Sequence, residues 1–127
     1  MCGIFGCISL DAASVVLDGL RKLEYRGYDS AGLAAVFDQD EGPVKTERTI
    51  GYVSDLASKA NGRFKDAAVC IGHTRWATHG GVTEVNAHPH SSNDGQISIV
   101  HNGIIENASD LAERVRNLGY EIKSETD

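Results

Sequence analysis

Apolar residues fall along this chain in short runs broken by turn residues. Residues 4–10 form a run of strand length, Ile-Phe-Gly-Cys-Ile-Ser-Leu. Over residues 14–25 the period changes: Val16, Leu17, Leu20 and Leu23 recur at the spacing of one helix face. A turn-like segment follows at Gly27, then residues 31–37, apolar enough for a strand, and residues 38–43 supply the turn that ends it. Residues 44–50 alternate as a half-exposed strand does. Val53, Leu56, Ala57 and Ala60 mark a short helix closed by Asn61-Gly62, and residues 67–72 and 97–101 read as buried strands. Asn107 with Asp110 three residues on predicts a capped helix carrying Leu111, Val115 and Leu118, stopped by Gly119. Residues 120–124 predict a last strand. Strands cluster and strand–helix alternation is weak, so the pattern predicts an α+β fold with antiparallel sheet.

Composition narrows the classes of function. With 127 residues, 24% charged and 41% hydrophobic, the chain is about one globular domain with its own core. A net charge of −6 and the lack of a basic stripe argue against nucleic acid. No apolar run approaches the roughly 18 residues that span a membrane. The first residues carry no basic segment followed by an apolar one, so they do not read as a secretory signal. The expected location is cytoplasmic.

Cys2, Cys7 and Cys70 are an odd set without a C-x-x-C pair, which speaks against a disulfide framework or a thiolate zinc site. Cys7 and Cys70 sit in apolar runs and read as buried thiols. Cys2 is different. Removal of the initiator Met, common when residue two is small, leaves it with a free α-amine, so nucleophile and base share one residue. A thiol of pKa roughly 8.5 beside an amine near about 8 needs little help to supply thiolate at neutral pH. On Met-Cys-Gly alone, a strand thiol placed by accident is the better reading, and the rest of the chain has to decide.

Three polar segments each follow a predicted strand. In residues 72–81, Arg75 offers a guanidinium fork for a carboxylate, with hydroxyl and imidazole groups beside it. Asn102-Gly103 reads by default as a hairpin turn, and it also suits an oxyanion hole built from a side-chain amide and an unhindered backbone N–H. Residues 124–127 place a carboxylate at a predicted strand end, which suits a substrate ammonium; taken alone they read as a solvated tail. Five histidines, including His88-Pro89-His90, invite a metal reading, but no acidic or Cys partner stands at ligand spacing. The Gly-rich segments match neither a Walker nor a dinucleotide fingerprint.

Taken in order, Met1-Cys2-Gly3-Ile4-Phe5-Gly6, the stretch Glu24-Tyr25-Arg26-Gly27-Tyr28-Asp29-Ser30-Ala31-Gly32, residues 73–80, Asn86-Ala87-His88-Pro89-His90, residues 101–107 and residues 124–127 resemble one family. It is the N-terminal glutaminase domain of the glutamine–fructose-6-phosphate aminotransferases, and the resemblance runs from residue 2 to residue 127. Amidophosphoribosyltransferase and asparagine synthetase share the Cys-Gly-Ile opening, the Arg-Gly segment and the Asn-Gly pair, but differ in the middle segments.

The resemblance implies an N-terminal-nucleophile hydrolase fold, two antiparallel sheets between helix layers, incomplete over residues 1–127. It implies that Cys2 attacks the side-chain amide of L-glutamine, with Asn102 and Gly103 as the oxyanion hole. By the same resemblance Arg75 holds the substrate α-carboxylate with Thr78 and His79, Asp127 takes the α-ammonium, Trp76 belongs to a closing loop and Arg26 supports the catalytic end. His88 lies in a family motif without a role that chemistry supplies. The implied reaction is glutamine to glutamate plus ammonia through a Cys thioester, without cofactor, feeding glucosamine 6-phosphate synthesis. Relative to the family the chain stops at the last expected ligand. The sugar-isomerase domains, the fructose 6-phosphate site and the contacts of a full-length homo-oligomer are expected to lie outside it. Two alternatives stay open: the glutaminase part of another amidotransferase such as amidophosphoribosyltransferase, and a glutamine-binding fragment without turnover.

Overall fold

The computed structural model describes residues 1–39 and 41–127. Chain order gives β1 (Gly3–Ile8), α1 (Ala12–Leu23), β2 (Ser30–Val36), β3 (Lys45–Ile50), α2 (Val53–Ala60), β4 (Val69–Arg75), β5 (His90–Ser91), β6 (Ser98–Ile99) and α3 (Ala108–Asn117). Four strands form one sheet in the order β1-β4-β2-β3, with every neighbouring pair antiparallel. The predicted α+β class and antiparallel pairing are what the chain adopts. Position 40, inside the turn expected over 38–43, lies outside the described residues.

Side-chain alternation decides which face of the sheet meets the helices. Ala31, Leu33 and Ala35 of β2 and Cys70 of β4 point toward α1 and α2, where Val16, Leu20, Val53 and Leu56 are fully buried. Each large side chain removed from water here stabilises the fold by about 1.5–3 kcal/mol. The carboxylate of Glu24 accepts from the Val53 N–H at 2.6 Å and so ties the end of α1 to the start of α2. Asp55 accepts from the Tyr52 N–H at 2.9 Å, and Asn61 closes α2 in a left-handed conformation (φ 43°), as Asn61-Gly62 predicts. Cys70 is the buried thiol expected, its pKa pushed up to about 12 by burial, whereas Cys7 opposite it is half-buried.

The last third departs from the pattern. Residues 97–101 yield only the two-residue β6, paired with β5, and Ile97 and Ile99 remain exposed. Residues 120–124 form no strand. In place of a strand partner, the side-chain amide of Asn93 bonds both Glu121 backbone groups, accepting from its N–H (2.8 Å) and donating to its carbonyl (2.9 Å). Asn107 precedes α3 but makes no capping hydrogen bond, because its ψ of 30° lies outside the extended region an N-cap needs. α3 buries none of its residues.

Candidate active site

β4 carries the site. In register with it, Gly32 stands opposite His73 on one side and Ile4 on the other, so His73 and Arg75 lie on the face turned away from α1 and α2. Residues 86–90 cross that face closely. A Cβ at Gly32 would come within 2.1 Å of the His88 carbonyl oxygen, so only glycine admits the crossing.

Cys2 sits at the head of β1, and its Sγ accepts from the Trp76 N–H at 3.2 Å. Across from it, Asn102 Nδ2 donates to the Cys2 carbonyl at 3.1 Å. Gly103 follows with φ 152°, and a Cβ there would meet the His101 ring at 2.9 Å. Arg75 is buried; it donates through Nη1 to the Gly81 carbonyl (3.0 Å) and through Nη2 to the His79 carbonyl, so it organises the loop that follows its own strand. Asp29 braces the same loop by accepting from the Ala77 N–H at 2.8 Å, and Trp76 packs edge-on against Tyr28. Arg26 reaches the Met1 sulfur at 3.6 Å. Asp127 accepts from the Ile105 N–H, which fixes its carboxylate beside the 102–104 turn.

These groups surround one cavity of about 540 Å³, lined by Cys2, Arg26, Arg75, Trp76, Thr78, His79, Asn102, Gly103 and Asp127 together with Met1, His73, His88, His101, Ile104 and Thr126. All nine side chains or backbone positions singled out from the sequence therefore converge. The cavity combines a thiol, an amide donor next to a glycine, a guanidinium and a carboxylate. That set can hold both charges of an amino acid while presenting its far end to sulfur.

Sequence reasoning missed the residues that hold these pieces together. Asn86 is fully buried; its amide donates to the Gly81 carbonyl (3.1 Å) and to Glu125 (2.9 Å), and its oxygen accepts from the Glu125 N–H (2.9 Å). It joins the arginine loop to residues 124–127. Hydrogen bonds from Asn86 and the Gly81 N–H hold the Glu125 carboxyl below its usual range. His73 is buried and neutral, its pKa lowered to about 4 by burial, and His88 is lowered to about 3 by burial and by the neighbouring His73, His90 and Arg75. The available signal was that Asn86 and His88 fall in one motif segment, 86–90, and His73 in another, 73–80, without a role that the sequence supplies. Among the described residues no cluster of His, Cys, Asp or Glu could hold a metal ion, and no helix is long and apolar enough to cross a membrane.

The antiparallel sheet backed by helices is a fold shared with solved amidotransferases. The chain superposes on the glutamine phosphoribosylpyrophosphate amidotransferase from B. subtilis with a TM-score of 0.74, at 26% identity, over 99% of this chain and 26% of that one. A second solved structure, the allosteric regulatory enzyme of purine biosynthesis, gives 0.79 at 26% identity, over 98% of this chain and 27% of that one. Residues 31–127 match the model of the glutamine amidotransferase domain, and the chain belongs to that family. It is 50% identical to the glutamine–fructose-6-phosphate aminotransferase of Chlamydia pneumoniae, over all of this chain and 20% of that protein. Against the Thermus thermophilus enzyme of the same name it is 49% identical over all of this chain and 21% of that protein. The chain thus spans about one fifth of the length of these relatives.

Proposed function

We propose that residues 1–127 are the N-terminal part of a glutaminase domain that cleaves the side-chain amide of L-glutamine, as part of a glutamine–fructose-6-phosphate aminotransferase. The observation that carries this is the convergence of Cys2, Asn102, Gly103, Arg75 and Asp127 on one cavity. Identity to the aminotransferases is about twice that to the phosphoribosylpyrophosphate enzyme, which favours the former branch.

In this reading Met1 is removed first. An amide-linked Cys2 nitrogen has no basic lone pair, and the Met1 side chain lines the cavity. The freed amine takes the thiol proton, and sulfur adds to the amide carbon of glutamine. The oxygen that becomes negative is met by the Asn102 amide and the Gly103 N–H. The amine then protonates the leaving nitrogen, ammonia departs and a γ-glutamyl thioester remains. Water, deprotonated by the same amine, releases glutamate and regenerates the thiol. Arg75, Thr78 and His79 hold the substrate carboxylate, Asp127 its ammonium, Trp76 covers it, and Arg26 supports the catalytic end. Neither step calls for a cofactor. The ammonia serves amination of fructose 6-phosphate by the remainder of a longer, homo-oligomeric protein in the cytoplasm, where thiols stay reduced.

The test is ammonia and glutamate release by the Met-processed protein and by its Cys2→Ala form. Glutamine hydrolysis that survives Cys2→Ala, or glutamine binding without turnover by the intact protein, overturns the reading. The second outcome would leave a binding module.

A further inference from the structure

Behind Asn102 stand three histidines in ring contact that the proposed chemistry does not use. His73 and His88 stack at 4.3 Å with an interplanar angle of 25°, and His88 meets His90 edge-on at 4.4 Å. His73 Nε2 lies 2.8 Å from Asn102 Oδ1, and His88 Nδ1 accepts from the His101 N–H at 3.4 Å.

The proton positions follow from these partners. The Cys2 carbonyl only accepts, so the Asn102 atom 3.1 Å away must be its NH₂ group, and the amide oxygen must face His73. That oxygen also only accepts. His73 therefore carries its single proton on Nε2 and leaves Nδ1 bare, and Nδ1 is indeed buried without a hydrogen-bond partner. A second proton there would bury an N–H with no acceptor, beside Arg75 and a stacked ring. His88 follows the same rule: Nδ1 accepts a backbone N–H and must be bare, so its proton is on Nε2. Two neutral rings can stack at this distance, whereas two imidazolium ions repel.

We propose that His73 and His88 are a neutral pair of positioning residues for residues 101–103, His73 by locking the orientation of the Asn102 amide and His88 by holding the backbone at His101. The proposal rests on reading the cavity as a glutamine-hydrolysing site. An asparagine amide has two orientations, and only one presents N–H to a developing oxyanion. The other presents a partial negative charge and opposes it. A histidine able only to donate toward Asn102 selects the productive orientation before substrate arrives. Loss of His73 should therefore weaken transition-state binding and leave substrate grip, which Arg75 and Asp127 supply, nearly intact.

The experiment uses the full-length, Met-processed protein with three variants: Cys2→Ala, His73→Leu and His73→Gln. His73→Leu is expected to lower kcat roughly 10- to 100-fold with glutamine KM within about threefold. It should weaken a γ-aldehyde analogue of glutamine, which forms a thiohemiacetal, by a similar factor while glutamate binding holds. His73→Gln, whose amide can donate from nearly the same place, should recover most of the loss. In the wild type, nitrogen NMR of the imidazoles should show His73 neutral with its proton on Nε2. Wild-type kcat in His73→Leu, equal losses in the Leu and Gln variants, or a proton on Nδ1 each overturns the proposal while leaving Cys2-dependent hydrolysis standing. The NMR measurement needs no variant, so a misfolded His73→Leu does not shield the proposal. Absence of Cys2-dependent turnover in the wild type overturns the functional reading, and the proposal with it.

Discussion

α1 and α3 are both amphipathic by pattern, yet α1 buries Ala12, Ala13, Val16, Gly19 and Leu20 whereas α3 buries nothing. The contrast extends to the regions around them. Residues 1–75 hold together by a sealed apolar layer between sheet and helices. Residues 90–127 are held by polar bridges instead: Asn93 to Glu121, Asn86 to Glu125, His73 to Asn102 and His90 to Thr126. The candidate site straddles the boundary. Cys2 and Arg75 come from the apolar region and Asn102, Gly103 and Asp127 from the polar one. The strands that carry Cys2 and Arg75 are fixed by packing, whereas Asn102, Gly103 and Asp127 sit on chain held by a few directional bonds.

The largest loss is expected from the apolar side. Leu20→Ala should cost about 2–5 kcal/mol of global stability, read from the denaturant midpoint. Acid acts next. His73 has its pKa lowered to about 4 from an unfolded value near 6.5, so the folded state resists its protonation. The resulting stability is complete above about pH 6.5 and is lost as pH falls through 6.5 toward 4, by roughly 2 kcal/mol at pH 5. His88, lowered to about 3, acts in the same direction. Midpoints at pH 7 and pH 5 would check this, and His73→Gln should remove its part of the difference and leave that of His88.

Asn86→Ala leaves buried partners unpaired and should cost about 1–3 kcal/mol. The loss should be local, with hydrogen-exchange protection falling at Gly81 and Glu125 while β4 keeps its own. Arg75→Lys should raise glutamine KM about tenfold or more with a smaller fall in kcat, since a point charge replaces a fork that also holds the His79 and Gly81 carbonyls. Leu118→Ala, at the exposed position just after α3, should shift stability by less than about 0.5 kcal/mol.

The same boundary decides what was legible in the sequence. Around α1, β2 and α2 the apolar period reports burial directly, because a packed layer covers those residues, whereas the edge strand β1 leaves Ile4 and Ile8 exposed. Beyond residue 90 the period misleads. Residues 120–124 alternate as a strand does, but a strand exists only with a partner, and the side chain of Asn93 takes that place. Leu111 and Leu118 mark a helix face that meets no core among the described residues. The site candidates were legible because each sits in a short motif that suits few kinds of chemistry. The roles of Asn86, His73 and His88 were not, although all three fall in motif segments, because they act through hydrogen bonds that reach as far as 39 positions along the chain, and no local pattern encodes such a bond.

In the proposed reaction Cys2 and its own freed amine perform the chemistry. The most direct measurement of this is intact-mass analysis alongside ammonia release for two preparations of the same protein, one fully Met-processed and one uniformly retaining Met1. The account predicts glutamine turnover, with a trapped γ-glutamyl adduct on Cys2, in the processed protein alone. Full turnover by the Met1-bearing protein would contradict it, because some other base would then be activating the thiol.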